Sequence, residues 1–464
     1  MRHKAGIAVA GCVALVLAAA AGATARRYAR DDDRRPVGTW HEAPAAARTP
    51  VAVEGPAAGR TRASFAPPQA DAETPTPDIR PSRTILPESS LPESSVPGSR
   101  IAESATAKAT GRQLVGELLP VSRLLDYLTG APKKETFTYP GASYVKLHFS
   151  RMAMLPGDYL TVSNPDGTEK YRYDAPGVLT TGPVDKWAMS ITGDTAVLEV
   201  HRGAGDVLGP VLGRLGIGVD RVARGFSRTE QRSASRRTGR EESVCGSDSS
   251  ADAVCYRSAD PVAYTKSKAI TRLLINGTEL CTGWRVGAQN RLLTNNHCFN
   301  TSGEAYDTEV WFNYQCAKCG GYDVFRPTKV WGDKVVATDQ VYDYTLFTVD
   351  DFAAVRKFGF LSLDTTRPTK NQQLYVPQHP AGEPTRIAGS LGERAGNCAV
   401  FDPAYDGYAA NSDVAYYCDT EGGSSGSPVL SRATNRVVAL HHFGGCPNSG
   451  VRGDLLAAKL RGRI

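Results

Sequence analysis

Cys418-Asp419-Thr420-Glu421-Gly422-Gly423-Ser424-Ser425-Gly426-Ser427-Pro428-Val429-Leu430 places a serine among glycines and runs into a short apolar segment that reads as a strand. A serine hydroxyl is a poor nucleophile until a base takes its proton and donors stabilise the oxyanion that forms. Glycines on both sides let the backbone turn tightly and aim N–H groups at one point. The same composition also makes a plain Gly/Ser loop between strands. A base and an orienting acid elsewhere in the chain decide between the two readings.

Both are present. Thr294-Asn295-Asn296-His297-Cys298 ends a strand and sets a histidine beside a cysteine, with Cys281 one hairpin earlier as a candidate bridge that would pin it. Asp343 lies in Tyr342-Asp343-Tyr344-Thr345-Leu346-Phe347, an acid immediately before an apolar strand and therefore shielded from water. Singly, His297 reads as a satisfied surface residue and Asp343 as a turn former. Together, the order His, Asp, Ser at three strand ends of one β-rich stretch points to a nucleophile, its base and the carboxylate that orients the base.

The surrounding pattern is that of short strands. Leu273-Leu274-Ile275 followed by Asn276-Gly277 is a hairpin signal. Further strands are expected at 281–286, 291–294, 310–312, 329–331, 344–349, 373–376, 415–418, 429–430 and 437–440, with only 454–460 helical. Many short strands with dense turns indicate barrels or a sandwich.

With 464 residues the chain has room for two or three domains, and its formal net charge of +6 is mild. Arg2, His3 and Lys4, the apolar run 5–21 and Ala23-Thr24-Ala25 form a secretory signal, residues 1–25, and no other stretch is apolar enough to span a bilayer. Val9-Ala10-Gly11-Cys12 falls too early in the run to serve as a lipobox. Of ten cysteines, all but Cys12 lie in the second half of the chain, which reads as disulfides made in an oxidising compartment, with one thiol left over. Zinc on Cys316-x-x-Cys319 is the competing reading, and it lacks a second ligand pair at the right spacing.

Residues 26–130 read as a low-complexity pro-segment or linker, with a short amphipathic helix expected around Leu114–Leu128. Alternation in Val145, Leu147 and Phe149, a second strand at 158–162 closed by Asn164-Pro165-Asp166-Gly167, and strands near 187–191 and 195–201 give a small antiparallel β-sandwich over 131–205. Residues 206–240 hold Arg214, Arg221, Arg224, Arg228, Arg232, Arg236, Arg237 and Arg240. With only Phe226 among them this is no nucleic-acid surface and reads as a processing linker, cut at Arg237 or Arg240. The remaining domain is 241–464.

Cys281-Thr282-Gly283, Leu293-Thr294-Asn295-Asn296-His297-Cys298, Asp343-Tyr344-Thr345-Leu346 and Gly423-Ser424-Ser425-Gly426-Ser427-Pro428 resemble the chymotrypsin-like (trypsin-fold) serine endopeptidases over 245–464. Cys245, Cys255, Phe312-Asn313-Tyr314-Gln315 before Cys319, and Leu440-His441-His442 before Gly444-Gly445 are similar to the bacterial lysyl and glutamyl endopeptidase branch. The resemblance implies an all-β fold: a double antiparallel β-barrel with the site in the cleft, preceded by the small sandwich and a disordered N-terminal region. It implies catalysis by His297, Asp343 and Ser425, an oxyanion hole from the Gly423 and Ser425 N–H groups, and pairing of Phe443-Gly444-Gly445 with the substrate backbone. It also implies the disulfides Cys245–Cys446, Cys255–Cys319, Cys281–Cys298 and Cys398–Cys418, leaving Cys316 unpaired. Animal relatives carry an aspartate where this chain has Ser424, so activation by insertion of a new N-terminus is not expected.

For the substrate pocket the sequence points two ways. Asp419, six residues before Ser425, resembles a pocket aspartate and leans the reading towards Lys or Arg before the scissile bond (P1). Thr420 with His441 resembles the pair that receives an acidic side chain. The expectation is a secreted endopeptidase acting on proteins or peptides with no cofactor, no metal, no nucleic acid and no membrane attachment after signal removal. What the sandwich binds is not specified. The alternative is a secreted binding protein in which the sandwich recognises a ligand and the protease-like domain is inactive.

Overall fold

The computed structural model describes residues 111–126, 133–175, 182–202, 215–235, 244–246, 248–389 and 398–464. The signal segment, most of the low-complexity stretch, and Arg214, Arg236, Arg237 and Arg240 lie outside the described residues.

Six strands close on themselves in the first half of the C-terminal region. Ile270–Ile275 pairs with Glu279–Arg285, which pairs with Leu292–Thr294; the ring returns through Tyr344–Val349, Thr328–Asp339 and Thr308–Phe312 to Ile270–Ile275. The hairpin at its start works because Asn276 (φ 51°) and Gly277 (φ 77°) both take the left-handed conformation of a type I′ turn. Leu273, Val310, Phe312, Val330 and Phe347 fill the barrel interior.

The second half is an eight-stranded antiparallel sheet that includes Leu374–Gln378, Pro428–Ser431, Val437–Phe443, Asn448–Arg452, Asp413–Tyr416 and Val400–Tyr405, in that order across the sheet. The Leu374 N–H bonds the Cys398 carbonyl at 2.8 Å and Gln373 bridges Ala399, so the last strand returns to the first. A shared apolar layer, with Trp284, Leu293, Leu346, Tyr375, Leu430 and Leu440, packs the two halves together. Besides the expected tail helix, Gly453–Lys459, short helices occur at Pro261–Ser267, Ser302–Tyr306 and Phe352–Val355. Each of these three is started by a side chain that accepts a backbone N–H: Asp260, Thr301 and Asp351.

Upstream, two antiparallel sheets face each other across a core of Val145, Leu147, Phe149, Leu160, Val162, Leu198 and Ile217. One sheet holds Lys134–Thr138, Thr195–His201, Tyr159–Ser163 and Lys170–Asp174; the other holds Gly116–Asp126, Gly216–Gly225, Tyr144–Ala153 and Pro183–Trp187. Two expectations are corrected here. The leucine-rich stretch near 114–128 is not a helix: Gly116–Asp126 is an edge strand, with Leu118 and Leu124 facing water. The arginine-rich stretch is not a linker throughout. Gly216–Gly225 is an inner strand whose Ile217, Val219 and Val222 are buried, and Arg228–Ser235 is a helix.

A desolvated ionic cluster joins the sandwich to the first barrel. Lys146 Nζ lies 2.7 Å from Glu309 Oε1, and Lys329 Nζ lies 2.7 Å from Glu169 Oε1, with all four side chains buried. Glu309 also accepts from the Ser190 N–H (3.0 Å), the Ser190 hydroxyl and the Trp311 indole N–H (2.8 Å). Burial works to raise the Glu309 pKa, but the charges of Lys146 and Lys329 outweigh it and hold the carboxyl below its ordinary value.

Candidate active site

The loop around Ser425 is fixed by its carbonyls. The Gly422 carbonyl accepts from the Ala381 N–H (2.7 Å), the Gly423 carbonyl from the Thr282 hydroxyl (2.8 Å), the Ser424 carbonyl from the Ser427 N–H (2.8 Å), and the Ser425 carbonyl from the Thr282 N–H (2.8 Å). With four consecutive carbonyls tied down, the intervening N–H groups have set directions. Only glycine serves at 423 and 426: both have positive φ (97° and 88°), and a Cβ at 426 would run into the Thr282 carbonyl. Ser425 is buried, and its carbonyl oxygen lies 4.0 Å from the Cys298 sulfur, beside His297.

His297 follows the strand Leu292–Thr294, and the Cys281–Cys298 disulfide ties that strand end to the neighbouring strand. Asp343 precedes Tyr344–Val349 with φ 39° and is buried. Its Oδ1 accepts from the His297 backbone N–H (3.0 Å) and its Oδ2 from the His297 Nδ1–H (2.8 Å). One carboxylate thus fixes the histidine's backbone and its ring, leaving Nε2 as the atom that can take a proton. Burial acts to raise the Asp343 pKa, but His297 and His442 outweigh it and hold the carboxyl well below the usual range. The His297 Nε2 has no hydrogen-bond partner among the described residues, so the Ser425–His297 hydrogen bond is not formed in this structure.

A second histidine shares that carboxylate. His442 Nδ1 lies 3.1 Å from Asp343 Oδ2, and its Nε2 lies 2.6 Å from Asp413 Oδ2. The Ser449 hydroxyl donates to the same Asp413 oxygen (2.8 Å) and the Ser412 hydroxyl to the other (2.9 Å). Both ring nitrogens meet carboxylates, an arrangement that favours the imidazolium form of His442. Burial works to lower its pKa, but Asp343 and Asp413 push it up to about 9. The sequence marks His442 only as part of Leu440-His441-His442, with no role of its own, and does not mark Asp413. The signal for His442 was available in strand alternation, which sends His441 and His442 to opposite faces; nothing local marks Asp413.

Asp419 is buried. Its Oδ1 accepts from the Cys245 N–H (3.1 Å) and its Oδ2 from the Ser249 N–H (2.9 Å) and the Ser249 hydroxyl. Both oxygens thus accept hydrogen bonds from the start of the domain, a use of Asp419 that the sequence did not indicate. Thr420 is buried, and its hydroxyl has no partner among the described residues. His441 is buried with Nδ1 2.7 Å from the Tyr416 hydroxyl, and burial pushes its pKa down to about 3. Phe443 is half-buried beside the Tyr408 ring, 4.8 Å between centroids, and Gly444 follows it.

Ser424 is buried, its N–H bonded to the Glu421 carbonyl (2.9 Å) and its hydroxyl taking the Glu421 N–H (3.3 Å). Its position holds no carboxylate that could receive a chain terminus. The disulfides in the structure are Cys245–Cys446, Cys255–Cys319, Cys281–Cys298 and Cys398–Cys418, and Cys316 is a buried free thiol. Cys319 is therefore not a thiolate that could join Cys316 on zinc. One grouping of metal-capable side chains occurs among the described residues, Cys281, His297 and Cys298, and its two sulfurs are spent on a disulfide.

A family model described as a trypsin-like peptidase domain matches residues 281–440. A curated relative, the secreted RxLR effector protein 73 of Plasmopara viticola, is 40% identical over 233 residues, covering 48% of this chain and 57% of that protein. The uncharacterised protein y4fB of Sinorhizobium fredii is 29% identical over 193 residues, covering 38% of this chain and 28% of that protein. The chain thus spans little more than half of the first relative and under a third of the second. A solved Glu endopeptidase in complex with MPD is 20% identical, with a TM-score of 0.34, covering 47% of this chain and 100% of the other. The segment 281–440 that matches the trypsin-like peptidase model holds His297, Asp343 and Ser425.

Proposed function

We propose that this chain is a secreted serine endopeptidase working through an acyl-enzyme. The Ser425 hydroxyl attacks the scissile carbonyl and His297 Nε2 takes its proton, later handing it to the leaving amine. Asp343 keeps the Nδ1–H tautomer and stabilises the imidazolium, while the Gly423 and Ser425 N–H groups receive the oxyanion. The observation that carries this reading is the double hold of one buried carboxylate on His297, at 3.0 Å to its N–H and 2.8 Å to its Nδ1. Secretion is supported by the disulfide complement and by the similarity to a secreted effector protein of Plasmopara viticola.

For P1, the hydrogen bonds that Cys245 and Ser249 donate to Asp419 weigh against Lys or Arg. A second reading, an acidic P1 side chain, is favoured by the unpartnered buried hydroxyl of Thr420, with His441 as its neighbour in the resemblance. A peptide panel with Glu, Asp, Lys, Arg or Phe at P1 tests this, with Ser425→Ala as the control. Cleavage after Glu or Asp that disappears in the control supports the reading. Cleavage only after Lys or Arg reverses the P1 assignment, and no cleavage of any peptide favours the binding-protein alternative.

A further inference from the structure

An extended segment binds a sheet edge by adding a strand, its backbone giving affinity and its side chains giving specificity. This chain does so to itself beside His297. Gln113 and Leu114 pair antiparallel with Leu280 and Glu279, and the Val115 N–H continues the match with 2.8 Å to the Thr278 carbonyl. The strand they join carries Cys281, whose disulfide partner Cys298 adjoins His297.

The upstream end of this segment lies on the imidazole. Gly111, at φ 72°, approaches so closely that a Cβ there would meet His297 Cδ2 at 2.8 Å and Nε2 at 3.3 Å. Arg112 donates to Glu279 (2.8 Å), to Glu304 (2.6 Å) and to the His297 carbonyl (3.4 Å). Gln113 is buried, with its amide oxygen filling the space above Gly422 that any side chain there would need. The segment therefore touches the histidine, the nucleophile loop and the strand edge between them. Its downstream end is anchored in the sandwich: the Val115 carbonyl accepts from the Phe226 N–H (2.8 Å), and Gly116–Asp126 pairs with Gly216–Gly225.

We propose that residues 111–114 occupy the groove where a substrate backbone adds to the Glu279–Leu280 edge, so that the full chain keeps its own active site closed, and that Glu279 and Glu304 form that groove's subsite for a basic side chain, filled here by Arg112. The proposal rests on the peptidase reading. It gives the sandwich a role, as the clamp that holds the closing strand. It also separates two preferences: the basic side chain belongs at this subsite, whatever residue P1 takes.

The test uses the full chain. A fluorophosphonate that labels an activated serine is timed on the wild type, on Arg112→Ala and on Glu279→Gln/Glu304→Gln, which loosens the same contact from the other side. Losing charge-assisted bonds of this kind is expected to raise the labelling rate at least about tenfold in both variants. Separately, anisotropy measures binding of fluorescent Gly-Arg-Gln-Leu and Gly-Ala-Gln-Leu peptides to Arg112→Ala/Ser425→Ala, which needs no catalysis. The arginine peptide is expected to bind at least about tenfold more tightly, and that preference should vanish when Glu279→Gln/Glu304→Gln is added. Equal labelling of wild type and both variants overturns the closure. Equal affinity for the two peptides overturns the subsite. Selective peptide binding with no labelling in any variant leaves the groove standing and refutes the peptidase reading instead.

Discussion

Replacing His442 by glutamine removes the cation between two buried carboxylates and keeps a side chain of similar reach. The folded-state pKa of His442 is raised from 6.5 to about 9, through hydrogen bonds to Asp343 and Asp413 that outweigh burial. Protonation therefore favours the folded chain. The stabilisation is complete below pH 6.5 and is lost as the pH rises through about 9. At about 1.4 kcal/mol per decade, that gap is worth about 3 kcal/mol. An independent route agrees: removing one partner of a buried ion pair costs about 3–5 kcal/mol. Urea unfolding of wild type and His442→Gln at pH 6 and pH 10 reads the effect directly. The variant should be about 3 kcal/mol less stable at pH 6, with the difference shrinking towards zero at pH 10. A loss of the same size at both pH values, or one below about 1 kcal/mol at pH 6, would show that the site does not hold an imidazolium.

Glu309→Ala strips the acceptor from Lys146, Ser190 and Trp311 at the sandwich–barrel junction, and the cost expected from denaturant unfolding is about 4 kcal/mol. A cost under about 1 kcal/mol would mean that water reaches the cluster. Asp419→Ala leaves the Cys245 and Ser249 N–H groups without their acceptor. It should lower stability by about 3 kcal/mol while leaving the P1 preference unchanged in the peptide panel; a switch away from Lys or Arg would return Asp419 to the pocket.

Much of the C-terminal architecture was legible because strand and turn chemistry is local. Asn276-Gly277 dictates its hairpin, and the apolar runs at 273–275 and 344–349 are continuous because both barrel faces are buried. The N-terminal strands were harder. Leu118, Leu119, Leu124 and Leu125 imitate helical spacing, yet Leu118 and Leu124 lie on the open face of an edge strand and carry no packing information. In Gly216–Gly225 two arginines masked an inner strand. Arg224 is taken up by Glu117 and Glu230, and Arg221 by Asp185 and Asp220, all partners from outside the strand's local pattern except Asp220. Around the site, His297, Asp343 and Ser425 stood out because each ends or begins a strand with a recognisable local signature. Asp413, Glu279, Glu304 and the segment 111–114 matter only through contacts made across the fold. Asp419 is marked in the sequence by its spacing from Ser425, while its hydrogen bonds from residues 245 and 249 are made across the fold.

We propose that His297, Asp343 and Ser425 act as one nucleophilic unit. The most direct test is peptide mapping of fluorophosphonate adducts on the full chain bearing Arg112→Ala, in which the closing strand is loosened. The expected result is a single adduct, on Ser425, that His297→Ala abolishes. An adduct that survives His297→Ala, or no adduct on Ser425 at all, contradicts it.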